Sequence, residues 1–233
     1  MGGLVEQAGG PALTIAEELA RVRGAWEASM LAALERLRPS LQARSPKHLA
    51  ELSGSSWQAG QIRLTYWGRT VRVGFPDLQA SYADDGQAVP TFDLAMLLFY
   101  LDAADGTPHS GQWIGYRELP GGLFYHQAFQ GYSGDRLARG FGADPPAFAR
   151  AGLAIGGAPL PELADWAFAV DPLPAIRLAT ILWPGDDEFA GRASILFDAA
   201  APHFMPTDGL ALLGAGLTTR LLKAGSPSPA RPS

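Results

Sequence analysis

The sequence predicts an α+β fold: a single domain with a mainly antiparallel sheet packed against helices. Three observations predict it. Apolar residues recur at three- and four-residue steps near the N-terminus, and then at steps of two from Ile62 to Phe75. A run that is apolar nearly all round follows at 91–104, and three further strand-like runs lie between Trp166 and Phe197.

Residues 1–12 are Gly-rich, which predicts a disordered N-terminus. Thr14 is placed to cap a helix over 14–38, with Glu17 completing a capping box. Leu19, Val22, Trp26, Met30, Leu34 and Leu37 form its apolar face, and Pro39 is its expected stop. A second short helix is expected from Pro46 to Leu52, ended by Ser-Gly-Ser-Ser.

Ile62, Leu64 and Tyr66, then Val71, Val73 and Phe75, alternate with polar neighbours around Trp67-Gly68-Arg69, which predicts a β-hairpin. Residues 83–88 (ADDGQA) read as a polar turn. Val89-Pro90 delivers the chain to the apolar run 91–104, whose length favours a buried central helix over a strand. Residues 105–122 read as loop, with turn signals on both sides of Trp113-Ile114-Gly115-Tyr116.

The helical period resumes at Leu123, with Tyr125, Phe129 and Tyr132 as apolar positions, and again over 145–153. Residues 154–161 read as a Gly/Pro connector. Trp166, Phe168 and Val170 then predict a strand, Asp171 to Pro174 a turn, Ile176 to Trp183 the next strand, and Ser194 to Phe197 a short buried one. Thr207 or Asp208 is expected to cap a last helix through Leu210, Leu213, Leu217 and Leu221. The folded domain is expected over 13–223, with a disordered tail at 224–233.

At 233 residues, with 47% apolar and 18% charged, the chain can bury a substantial core. A net charge of −5, with scattered basic residues, argues against a nucleic-acid footprint. The absence of cysteine excludes disulfides, thiolate zinc sites, iron–sulfur ligation and cysteine nucleophiles from this chain. The first residues lack the basic start and apolar core of a signal peptide, and no apolar run reaches about 18 residues, so a cytoplasmic protein that does not enter membranes is expected. Neither GxxxxGK[ST] nor GxGxxG occurs, HExxH is absent, and Gly131-Tyr132-Ser133-Gly134 lacks the spacing of a hydrolase nucleophile elbow.

Residues 183–209 concentrate the candidate chemistry. Asp186, Asp187, Glu188 and Asp198 offer oxygen ligands for a divalent cation, or an acid for proton transfer. The same acids also fit a solvated turn anchored by Trp183 and Phe189. Neighbouring carboxylates repel, so Arg117 is expected to meet the acidic turn and hold two loops together.

The aromatic residues Trp113, Tyr116, Phe124, Tyr125 and Trp183 suggest instead a cleft for a planar cofactor. A tetrapyrrole-like group, haem or a corrinoid, would take His203, His109 or His126 as axial ligand and Met205 as a weaker one. Arg117 or Arg192 would meet its carboxylates. His126, in Phe-Tyr-His-Gln-Ala-Phe, better suits a partly buried structural role.

Four blocks carry a further signal: DLAMLLFYL at 93–101, WIGYRELPGGLFY at 113–125, WPGDDEF at 183–189 and ILFDAAAPHFMPTD at 195–208. Together they resemble an uncharacterised domain-of-unknown-function family of mostly anaerobic bacteria and archaea, over roughly residues 60–222. That family has no established activity, and some members add a cysteine-rich iron–sulfur segment, which points to redox or cofactor metabolism. This chain has no cysteine, and Ala190 stands where the family usually has proline after the DDEF run.

Three functions are compatible with these residues. One is an accessory protein binding a tetrapyrrole-like cofactor or a metal, another a divalent-metal-dependent enzyme using Asp186, Asp187 and Glu188. The third is a structural subunit that meets a protein partner.

Overall fold

The computed structural model describes residues 31–226. The Thr14 cap, the apolar positions up to Met30 and the tail from 227 lie outside the described residues. Residues 31–42 are helical (α1), and the helix runs through Pro39 instead of stopping there. Proline removes one N–H donor, but the helix continues one more turn, with Ala43 N–H bonded to the Pro39 carbonyl, and seats Leu41 in the core beside Leu34. Helix α2, Pro46–Leu52, begins on the Ser45 side chain and has proline in its first turn, where no donor is lost.

Four short strands follow in the order β1 (Ser56–Gln58), β2 (Gln61–Tyr66), β3 (Arg69–Gly74) and β4 (Ala80–Tyr82), all antiparallel. The expected hairpin is β2–β3. Trp67 and Gly68 both adopt positive φ (49° and 79°), the conformation a two-residue turn needs to match strand twist. Ile62 faces Val73 and Leu64 faces Val71 across the ladder, so one face of this sheet is core.

Helix α3, Thr91–Ala103, is the buried central helix that the apolar run predicts, with Leu94 to Leu98, Tyr100 and Leu101 all buried. The Tyr100 hydroxyl donates to the Ser53 carbonyl after α2 and accepts from Ala175 N–H at 2.9 Å, tying the first sheet's flank to the second sheet.

The second sheet has the order β5-β9-β8-β7-β6: β5 Trp113–Gly115, β6 Ala158–Pro159, β7 Ala167–Leu173, β8 Ile176–Trp183 and β9 Arg192–Asp198. Two connectors read as loop therefore contain short strands, β5 and β6. Asp171 to Pro174 is not a turn: β7 continues to Leu173 through a bulge, and the reversal falls at residues 174–175. Pairing with β8 supplies the order that a Pro-rich run lacks locally. The Pro172 carbonyl accepts from Trp67 N–H at 2.9 Å, joining the two sheets.

Between β5 and β6 lie α4 (His126–Tyr132), α5 (Gly134–Phe141) and α6 (Pro145–Ala154). The sequence periodicity does not reveal α5. The last helix, α7 (Thr207–Gly225), buries Leu210, Leu213, Leu217 and Leu221 as expected. Neither Thr207 nor Asp208 caps it: Pro206 occupies the cap position, and the Thr207 hydroxyl donates to the Pro120 carbonyl at 2.7 Å. No helix among the described residues is long and apolar enough to cross a membrane.

Candidate functional site

Strand β5 accompanies β9 only from Gly115↔Leu196 to Trp113↔Asp198. Residues 192–195 of β9 therefore pair with β8 on one side and have no strand on the other among the described residues. The chain leaves β5 into a 3-10 helix, Tyr116–Glu118, and Glu118 Oε2 fixes that exit by accepting from Gly115 N–H at 2.7 Å.

Helices α4 and α5 pass along the uncovered edge. The Gln130 amide in α4 donates to the Ala193 carbonyl at 3.0 Å and to Asp135 Oδ1 at 2.9 Å. Gly134 opens α5 against the same carbonyl, where a Cβ would collide with Ala193 O. Glycine is required there because the backbones touch.

Two cavities open along this edge. One, about 180 Å³, is bordered by Tyr116, Arg117, His126, Phe129, Gln130 and Ile195. The other, about 430 Å³, is bordered by Gln130, Asp135, Trp183, Arg192 and Ser194. They share Gln130 and Ser194 and so adjoin as one groove. Tyr116 and Phe129, stacked at 4.3 Å, border the smaller cavity, and the fully buried Phe197 backs them, 5.8 Å from Phe129. At the far end the Arg192 guanidinium sits 5.9 Å from the Trp183 ring, a cation–π distance.

Within the groove, His126 Nδ1 lies 2.7 Å from the Leu123 carbonyl. A carbonyl only accepts, so Nδ1 carries the proton and Nε2 keeps its lone pair in the neutral ring. Arg117 makes no hydrogen bond or ion pair among the described residues. Burial pushes the Tyr132 phenol up to about 12, with Tyr116 and Asp208 adding to the shift, so it stays a neutral hydroxyl on a ring that meets Phe129 edge-on at 5.6 Å.

The other candidates sit elsewhere. His203 Nδ1 is 2.7 Å from Asp105 Oδ2 on a half-exposed face, and His203 with Thr107 holds the Asp105 carboxyl at about 2. His109 is exposed in the 105–112 loop. Met205 is fully buried in the core, where Gly209 packs on its sulfur. Trp113 is half-buried, while Phe124 and Tyr125 are 86% and 63% exposed, so the five aromatics do not share one cleft.

The acidic turn is held by backbone, not by Arg117; the expected ion pair is absent among the described residues. Asp186 Oδ1 accepts from Phe189 N–H at 2.7 Å and Glu188 N–H at 2.9 Å, which lowers its carboxyl below the usual range. Gly185 N–H bonds the Gly142 carbonyl, anchoring the turn to the end of α5. Asp187 and Glu188 point to solvent.

Asp198 is only 2% exposed and accepts from Ser110 N–H, Ser110 Oγ, Gly111 N–H and Ala200 N–H. Burial raises its carboxyl, but these donors outweigh it and leave the group below its ordinary range. The described residues contain no group of three or more His, Asp or Glu placed to hold a metal ion. Ser133 is buried, with its hydroxyl on the Phe129 carbonyl, and is no nucleophile.

Sequence reasoning does not mark Gln130 or Asp135 at all, and reads Ser194 and Ile195 as parts of a buried strand and not as groove residues. Gln130 and Ala193 are 63 positions apart, and no local pattern announces their contact. The tight Ser133-Gly134 junction was the available signal.

No curated protein and no solved structure matches the chain. The family model described as "Domain of unknown function (DUF3786)" matches residues 45–220, and the chain belongs to that family.

Proposed function

We propose that the chain is an accessory protein that binds a planar, anionic, tetrapyrrole-like cofactor, haem or a corrinoid, in the groove along the open edge of β9. The observation that carries this reading is one cavity bordered by both His126, with Nε2 free to ligate, and Arg117, a cation with no hydrogen-bond or ion-pair partner among the described residues. A carbonyl on Nδ1 is the arrangement that orients a metal-binding imidazole. A tetrapyrrole supplies four equatorial nitrogens itself, so one histidine suffices and no cluster of protein ligands is needed. Arg117 and Arg192 would take carboxylates at the ring edge, and Tyr116 and Phe129 provide the apolar border. Met205, sealed in the core, has no place in this arrangement.

The test is a titration of the purified chain with haem and with a corrinoid, followed by absorbance. A saturable spectral shift is expected in the wild type and in His203→Ala, and its loss in His126→Ala. Absence of a saturable shift with either compound in the wild type overturns the reading.

A second reading, a structural subunit, draws on Leu123, Phe124 and Tyr125, three consecutive exposed apolar residues in the turn beside the groove. Copurification of a defined partner, lost in Phe124→Ser, would favour it.

A further inference from the structure

The first sheet has an outer face away from the core, and β2 and β3 carry it. Arg63 and Arg72 are direct cross-strand partners in their register. Strand partners project to the same side, so the two guanidinium groups rise from neighbouring points, with Cβ atoms about 5 Å apart. Like charges directly opposite each other destabilise a sheet unless something neutralises them.

Nothing among the described residues does so. Neither arginine is in an ion pair among the described residues. The four strands contain no acid at all (SWQ, QIRLTY, RTVRVG, ASY). Asp84 and Asp85 are taken by Arg69, at 2.7 and 2.9 Å. Asp77, whose carboxylate lies over Gly74, pairs with neither arginine.

The contacts the two groups do make are long: Arg63 Nη1 to Gln58 Oε1 at 3.3 Å, and Arg72 Nη2 to the Tyr82 and Ala83 carbonyls at 3.3 and 3.2 Å. Both Nε atoms are buried without a hydrogen-bond partner among the described residues. Arg63 Nη2 and Arg72 Nη1 also make no hydrogen bond among the described residues. Register places hydroxyls on the same face: Ser56 opposite Arg63, Ser81 opposite Arg72, and Thr65 opposite Thr70. A depression of about 450 Å³ opens beside Arg63, bordered by Ser56, Arg63, Thr65 and Thr70, with Arg72 adjoining it across the ladder.

From this we infer that the outer face of the four-stranded sheet is a binding site for a multiply charged oxyanion, the phosphoryl or carboxylate group of a small molecule, held between Arg63 and Arg72. Two cations with spare donors, hydroxyls around them and no competing carboxylate on the strands suit a group of charge about −2 with several acceptor oxygens. The site lies on the first sheet and does not depend on the groove beside β9.

Isothermal titration of the full chain with inorganic pyrophosphate and, separately, with citrate, at matched ionic strength in chloride, tests this. One saturable event per chain is expected with at least one of them. A phosphate-only response assigns a phosphoryl group, and a citrate-only response a carboxylate. Arg63→Gln and Arg72→Gln should each weaken binding by about tenfold or more, as loss of a charge-assisted hydrogen bond does. Should Arg72→Gln not fold, Arg63→Gln with Thr70→Val carries the test, because both positions lie on the partly exposed face. No saturable binding of either anion, or undiminished binding in the folded arginine variants, overturns the inference.

Discussion

Asp198 at the end of β9 accepts two hydrogen bonds from Ser110, one from the backbone N–H at 3.0 Å and one from the hydroxyl at 2.9 Å, both on Oδ1. With Gly111 N–H on Oδ2 and Ala200 N–H also on Oδ1, this carboxylate fastens the 105–112 loop to the sheet. Asp198→Ala should strand three backbone donors and cost about 2–3 kcal/mol in urea unfolding, with Asp198→Asn milder because one acceptor oxygen remains.

Leu97 and Leu98 are both fully buried in α3. Leu97→Ala and Leu98→Ala should each lower the unfolding free energy by about 2–5 kcal/mol, the range for cavities in a packed core. Denaturation midpoints close to wild type would contradict the central position of α3.

Asp105 supplies a pH-dependent contribution. Its carboxyl is depressed to about 2, first by the His203 hydrogen bond and then by Thr107. The unfolded-state value is about 4. The stabilisation is therefore complete above about pH 4 and is lost as pH falls through about 2. Because the pair is half-exposed, Asp105→Asn should cost no more than about 1 kcal/mol near neutrality, and that difference should vanish toward pH 2. Urea unfolding of both proteins across this range measures it.

Gly134→Ala places a methyl against the Ala193 carbonyl and the Gln130 amide. A loss of about 1–3 kcal/mol is expected, as for overpacking, with weaker ligand binding in the adjoining groove. Gly131→Ala meets nothing within 4 Å and should stay within about 0.5 kcal/mol of wild type. Thermal melts of the two variants give the comparison.

Arg117→Gln should weaken binding of an anionic tetrapyrrole without changing the melting temperature, since Arg117 has no partner to lose among the described residues. A reduced melting temperature in titrations without ligand would show that the side chain serves the fold.

Period and composition alone determined the elements whose cause is local. The hairpin of β2 and β3, the all-round apolar α3, the Leu stripe of α7 and the α+β class all follow from the spacing of apolar side chains, because burial selects period two in a strand and 3.6 in a helix. The four motif blocks likewise pointed to the family whose model covers 45–220.

Tertiary structure decided everything that depends on partners distant in sequence. Pro39 stays inside a helix because Leu41 is buried beyond it, and β7 crosses Asp171-Pro172 because β8 holds it. β5 is a strand only through β9, some 80 positions later. The acids of the 183–209 stretch look alike in sequence, yet Asp186 closes its own turn on the N–H groups of Glu188 and Phe189, whereas Asp198 anchors a loop because the fold brings it Ser110 and Gly111, 88 and 87 positions away. The groove itself exists because β5 ends before β9 does, and strand ends are set by pairing, which a single segment does not encode.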